Sequence, residues 1–430
     1  MTLRKLTASL CLGALAAAAA ATAPAHAQTT QPKASNDVDA LSLADEPAVV
    51  PQASQSWRLF GEVAASRGSL LGTDSKFSGG RVSLDVRLDT RIAPGLRAIV
   101  SDRLDVARHS EDALDYSVNT LREAYLSWHV SPTEIVDLGR INLRYGAAYG
   151  YNPSDFFKLG ALRSITSPDP ANLRENRQGS IVVQAQKLWS STSLAAVFSP
   201  RLGSTSDSTF ALNAGATNPA NRWLLAGSHK FTENFQPQIL LHGGDGLPLQ
   251  TGLNVSGLLG NATVAYAELS AGKSRSLLAQ TLVLNEAERM QRRAAFGLTY
   301  TTGFNLSVTG EIEYNSAAPD RRQWDSFRAA APGNALNLLR TAQFAQDLPV
   351  RRAAFVYAAW RDVGIKSLDL AAFVRRDLET RSHEQWLEAR YHWNKAEVAL
   401  QWQGYSGAPT SVYGAVPQPR RLELQLRMFL

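Results

Sequence analysis

The chain has 430 residues, 19% of them charged and 44% hydrophobic, with a formal net charge of +6 and a single cysteine. One thiol excludes a disulfide framework and a thiolate metal site. The cations are dispersed instead of forming a stripe, so nucleic acid is not expected as a partner, and beyond the N-terminal segment no apolar run has the length of a membrane-spanning helix.

The N terminus places Arg4 and Lys5 before an apolar run from Leu6 to Ala21, followed by the small-x-small triplet Ala25-His26-Ala27. This is the pattern of a secretory signal, with removal expected after Ala27; the short alanine-rich core and the triplet argue against a retained membrane helix. Cys11 lies in the segment to be removed, and Ser9-Leu10 before it make a poor lipid-attachment site, so the mature chain carries no thiol and about +4 of charge once Arg4 and Lys5 are lost. Residues 28–55, rich in Ala, Ser, Pro, Gln, Thr and Asp, read as a disordered periplasmic lead-in, with a plug folded into a lumen as the alternative.

From residue 56 onward a two-residue rhythm prevails. Val82, Leu84, Val86 and Leu88 alternate with Ser83, Asp85, Arg87 and Asp89; in LREAYLSW, Ala124, Leu126 and Trp128 alternate with Glu123, Tyr125 and Ser127. Later, Leu306, Val308, Gly310, Ile312 and Tyr314 alternate with Ser307, Thr309, Glu311 and Glu313. Such alternation makes strands with one apolar and one polar face. It occurs in soluble sandwiches too. The connectors discriminate, because short turns at Ala93-Pro94-Gly95, Ser131-Pro132-Thr133, Ser190-Ser191, Gly260-Asn261, Thr302-Gly303, Val363-Gly364 and Asn394-Lys395 alternate with longer connections. Transmembrane β-barrels place short turns in the periplasm and longer loops outside. The expected fold is an all-β, antiparallel up-and-down barrel over residues 56–430 with about eighteen strands, sixteen being the alternative. Tyr266, Tyr300, Tyr314, Tyr391, Trp393, Trp402 and Trp128 are assigned to interfacial girdles on its outer face.

The last residues, RRLELQLRMFL, put Leu422, Leu424, Leu426, Met428 and Leu430 on one face and Glu423, Gln425 and Arg427 on the other. This resembles the C-terminal strand of outer-membrane proteins read by the barrel-insertion machinery, although Leu430 stands where an aromatic residue is usual. The expected location is the outer membrane, in contact with its lipid.

A barrel of this size encloses more space than its own side chains fill. Inward positions carry both signs of charge, among them Arg58, Glu62, Asp85, Arg87, Arg97, Glu123, Asp137, Glu311, Glu313, Asp369, Glu388, Arg390, Glu397 and Arg427. Arginine forks suit carboxylate, phosphate or sulfate, while pairing across the wall is the plainer role for any one of them. The connection from Leu143 to Arg177 is long for a compact domain. Asn152-Pro153 breaks the strand, Ser154 or Asp155 is placed to cap a short helix containing Phe156 and Phe157, and Asp169-Pro170 starts a turn before Leu173-Arg174-Glu175. A loop with two phenylalanines is expected to pack inside the barrel and narrow it. The constriction and lumen candidates are Arg87, Arg97, Glu123, Arg140, Arg144, Asp155, Lys158, Arg163, Arg174, Arg177 and Arg390. Strict alternation points Asp102 and Arg140 at lipid, at a cost of roughly 2–4 kcal/mol for a mid-membrane arginine, so a bulge is expected near each.

The motif formed by Leu121 to Tyr125, Gly139-Arg140, Tyr145-Gly146, Asn152 to Asp155 and then LREN resembles alginate-export-type outer-membrane barrels and related porin-like families. The resemblance covers a minor stretch of the chain. It implies a wide monomeric barrel that passes solutes or exports a polymer, without naming the cargo. No nucleophile elbow, phosphate loop or paired metal-spaced histidines appear, so neither catalysis nor a cofactor is expected. The expected function is an outer-membrane channel for small polar or anionic solutes or an acidic polymer. A non-conducting barrel that scaffolds a periplasmic or envelope partner is the alternative.

Overall fold

The structure, a computed structural model, describes residues 56–110, 116–203, 213–330 and 332–430. The secretory signal and the 28–55 lead-in lie outside the described residues. Among the described residues the chain forms eighteen strands: β1 (Trp57–Ser69), β2 (Lys76–Ala93), β3 (Leu96–His109), β4 (Tyr116–Ser131), β5 (Glu134–Ile141), β6 (Ser180–Leu188), β7 (Thr192–Ser199), β8 (Arg222–His229), β9 (Gln238–Gly244), β10 (Leu247–Leu258), β11 (Thr263–Ser274), β12 (Arg289–Thr301), β13 (Leu306–Asn315), β14 (Arg352–Trp360), β15 (Leu368–Asp377), β16 (His383–His392), β17 (Ala396–Ser406) and β18 (Arg420–Phe429). Each pairs antiparallel with the next, and β18 pairs with β1 from Phe60↔Phe429 to Ser69↔Arg420, closing the wall. Closure satisfies every strand edge, which is what a sheet crossing hydrocarbon requires.

The alternation sorts the two faces as the period dictates. Val63, Val82, Leu424, Ile312 and Val356 are exposed on the outside, while Glu62, Asp85, Arg103 and Glu313 are buried inside. No helix among the described residues is long and apolar enough to cross a membrane. The assigned turns fall between the predicted strand pairs. The β8–β9 connection, residues 230–237, is longer than the others on its side and was not among the turns read from the sequence.

Tyr266 departs from its assignment to the outer girdle: it is buried inside the barrel, and its hydroxyl donates to Glu311 at 2.5 Å. Trp57 and Trp360 are exposed on the outside.

The bulge expected near Asp102 is present, and the one expected near Arg140 is not. Near Asp102 the register shifts on the partner strand, where Ser101 faces Glu123 and Asp102 faces Leu121. The extra residue, Arg122, turns inward and is buried. Asp102 stays on the outer face, where Asn119 Nδ2 donates to it at 3.1 Å. Around Arg140 the ladder holds its register on both sides. Relief comes instead from Gly139 at φ 135°, where a Cβ would meet the Ala124 carbonyl oxygen at 2.3 Å. Arg140 ends up buried, donating to the Gly179 carbonyl at 2.6 Å and to Thr217 Oγ1 at 3.3 Å.

Candidate constriction site

The chain between β5 and β6 packs against the inner faces of the strands. Among the inward residues of β6 to β9, Val182, Val197, Leu224, Ala226 and Leu240 form one cluster with Leu143 and Phe157 from the loop. Phe156 stacks on His242 with ring centroids 5.0 Å apart, and the Arg222 guanidinium lies 4.6 Å over the Phe157 ring. Burying two Phe side chains supplies on the order of 3–6 kcal/mol toward holding the loop. The expected helix around Phe156 and Phe157 does not form, because Ser154 and Asp155 are engaged elsewhere. The capped helix lies further on: α1 (Pro170–Glu175) starts with Pro170 at its N terminus, and Asp169 accepts from the Asn172 N–H at 3.1 Å.

Further along the wall from that apolar cluster, acidic side chains take up the loop backbone. Glu268 on β11 accepts from the Ala148 N–H at 3.1 Å, the Ser154 N–H at 2.8 Å and Ser154 Oγ at 2.9 Å. Glu311 on β13 accepts from the N–H groups of Tyr149 and Gly150 as well as from Tyr266. Arg375 on β15 reaches the Gly150 carbonyl at 2.5 Å while paired with Glu313 at 3.4 Å. Gly146, at φ 104°, is required here: a Cβ would lie 2.3 Å from the Glu268 carboxylate. Buried backbone donors demand acceptors, and charged acceptors give the stronger bonds.

Asp155 and Arg177 form a buried ion pair that ties the two arms of the loop together, and Arg177 Nε also donates to Gln346 at 2.8 Å. Lys158 donates to the Asn152 carbonyl at 2.8 Å and approaches Asp347 at 3.4 Å, while Tyr151 and Arg293 also bind Asp347. Gln346 and Asp347 follow the helix Ala335–Ala345 of another loop. Arg174 is buried, and its carbonyl accepts from Asn142 at 2.9 Å. Arg163 contacts Gln178 at 3.4 Å.

The remaining candidates are spread over the wall. Arg97 pairs with Asp89 at 2.7 Å near the β2–β3 turn, away from the loop. Arg390 pairs with Glu388 at 2.8 Å and with Glu397 at 2.9 Å. Glu123 sits beside the Arg122 bulge. Arg87 and Arg144 have no ion-pair partner among the described residues, and Arg144 is exposed. Sequence reading placed Glu62, Asp85 and Arg427 in the lumen but missed Arg81, Arg103 and Arg122, which complete the wall network. Glu62 contacts Arg81 at 3.0 Å, Arg103 at 2.8 Å and Arg427 at 3.0 Å, and Arg122 holds Asp85 at 2.6 Å and Asn176 at 3.0 Å. Arg81 and Arg103 were legible in the alternation beside Ser83, Asp85 and Asp105; Arg122 was hidden by the bulge.

Between the loop residues Ile165 to Pro168 and the inner face of β16 to β18 lies a gap of about 30 Å³, lined by Trp386, Gln401, Gln403, Arg421 and Glu423. Asp169 flanks it. Burial, with Glu388 nearby, pushes this carboxyl up to about 6 against the pull of the Asn172 N–H.

A closed wall with an oily outside, charged inside and loop-filled interior defines a transmembrane β-barrel of the outer-membrane type. No protein-family model matches the chain, and no curated protein matches it in sequence. Among solved structures it is similar to OccAB1 of Acinetobacter baumannii, with 11% identity over 87% of this chain and 96% of that one at a TM-score of 0.56. It is also similar to OccK5 (OpdH) of Pseudomonas aeruginosa, with 11% identity, 87% and 97% coverage and a TM-score of 0.53. OccK2 (OpdF) of Pseudomonas aeruginosa in complex with glucuronate shows 12% identity, the same coverage and a TM-score of 0.52. At such identity the likeness is one of fold.

Proposed function

We propose that the protein is a passive outer-membrane channel for small polar solutes, with a preference for anions. One observation carries the reading: the loop between β5 and β6 is bonded to the wall at Glu268 and Glu311 yet leaves a polar gap on the β16–β18 side. A solute passing there meets Gln, Thr and Ser amides and hydroxyls together with the Arg421–Glu423 ion pair. Most lumen arginines are neutralised by neighbouring carboxylates; Arg87 and Arg144 are not, and they supply the bias toward anions. Glucuronate bound to a barrel of similar fold is a small carboxylate of the expected kind. The alginate-export-type resemblance pointed to a polymer as well, but a loop held by this many buried bonds favours single small solutes.

The size of the gap also favours a second reading. About 30 Å³ holds only a water or two, which suits a filled, non-conducting barrel acting as a scaffold. Planar-bilayer recordings and liposome swelling separate the two. The channel gives discrete steps and admits sugars or small organic acids; a barrel silent in both assays, with and without the loop, is a scaffold.

A further inference from the structure

The outer face carries an asymmetry independent of what passes through the lumen. At the periplasmic ends, exposed outward positions hold Trp57, Trp128, Tyr300 and Trp360. Of the cations near those ends, Lys187 pairs with Glu134 at 2.5 Å and Lys230 with Glu233 at 2.8 Å, while Lys366 and Lys395 lie in separate turns with no ion-pair partner among the described residues. At the extracellular ends of three neighbouring strands, by contrast, exposed cations are clustered. Arg420 on β18 and Lys76 on β2 both stand opposite Ser69 on β1, in one row across the closure seam. Arg67 lies one outward position below Ser69, opposite Leu422 and Ser78. All three cations are exposed. None has an ion-pair partner among the described residues, and Asp74 in the adjoining hairpin pairs with none of them.

Their height fixes what they face. Trp57 and Arg67 share one outward stripe of β1, ten residues apart. At about 3.3 Å per residue and a tilt of about 40°, that separation is a rise of roughly 25 Å, the thickness of the apolar band of such barrels. Leu422, Leu424, Val63 and Val82 fill the stripe directly beneath the cations. Arg67, Lys76 and Arg420 therefore stand at the plane where outer-leaflet headgroups begin. The three positions fall within about two strand spacings, roughly 10 Å, which suits a headgroup bearing more than one phosphate. Phosphate accepts the forked donors of arginine, and cations at an anionic membrane surface bind it additively.

We propose that the β18–β1–β2 seam binds the phosphates of an anionic outer-leaflet lipid through Arg67, Lys76 and Arg420. The test is native mass spectrometry of the full chain in detergent, titrated with bisphosphorylated lipid A or with the same lipid after enzymatic dephosphorylation. The wild type is expected to prefer the phosphorylated lipid. R67Q/K76Q/R420Q is expected to lose about fivefold in affinity per charge, about a hundredfold in all, and R67K/R420K to keep most of the binding. Heat-modifiable gel migration verifies that each variant is folded. Equal binding of the two lipids by the wild type, or undiminished binding by the triple variant, would overturn the proposal. So would an equal loss in K366Q/K395Q, which removes two exposed lysines from the periplasmic turns.

Discussion

Two walls face each other across the lumen, and they handle charge in opposite ways. On the side built from β16 to β18 and β1 to β4, carboxylates and guanidiniums satisfy mainly one another: Glu62 alone holds Arg81, Arg103 and Arg427. On the side of β11 and β13, Glu268 and Glu311 accept from the N–H groups of Ala148, Tyr149, Gly150 and Ser154. The first wall is mainly a brace, touching the loop through side chains at Ser164, Glu175 and Asn176; the second is a seat for the loop backbone. Only the first borders the gap, so under the proposed channel function the solute meets the braced wall and the loop while the seat fixes the loop's position.

Experiments can separate seat from brace. Excising residues 147–175 and bridging the ends with a short Gly-Ser linker removes everything the seat holds, and single-channel conductance should rise severalfold. Glu268→Ala strands three buried donors, weakening loop attachment by on the order of 3 kcal/mol. Protease cleavage within 143–177 should then appear while the barrel stays heat-modifiable. Glu62→Leu attacks the brace instead. It leaves three arginines around a vanished anion, at a cost of about 3–5 kcal/mol, so the unfolding temperature should drop with the loop still protected. If both variants gave the same proteolysis pattern, the division between the walls would be wrong. Arg87→Gln with Arg144→Gln should lower the anion-to-cation permeability ratio by about twofold per charge, for a unit charge some 8 Å from the path in water.

The smallest effect concerns pH. Asp169 has its folded value raised from 3.8 to about 6, so between those values the folded loop retains a proton that the unfolded chain has released. The stabilisation is complete below pH 4 and is lost as pH rises through 6. Loop-dependent current noise should therefore increase from pH 5 to pH 7. Asp169→Asn keeps the helix cap and should abolish the change.

Much of the wall was legible because period-2 alternation is a local signal. Val82 to Asp89 and Leu306 to Glu313 state which face is wet without reference to any other strand. The failures fall where a second constraint intervened. Tyr266 sits in phase with inward Glu268 but was assigned by its aromaticity, although its hydroxyl had a carboxylate to reach. Asp155, read as a helix cap, was claimed by Arg177. The motif residues of the loop were recognised but not explained. Gly139, Gly146, Ser154 and Asp155 are there to seat the loop, through a left-handed backbone, close approach to a carboxylate, and buried bonds.

The amino-acid order alone determined the strands, the two faces and the alternation of short and long connectors, because each depends on neighbours a few residues apart. The tertiary structure decided which lumen groups meet. Glu268 and Ser154, or Glu62 and Arg427, are distant in the chain and come together only once eighteen strands close and set the register across the seam. Inside a closed barrel a charge finds its partner on a nearby strand or from a loop, and no local periodicity encodes that pairing.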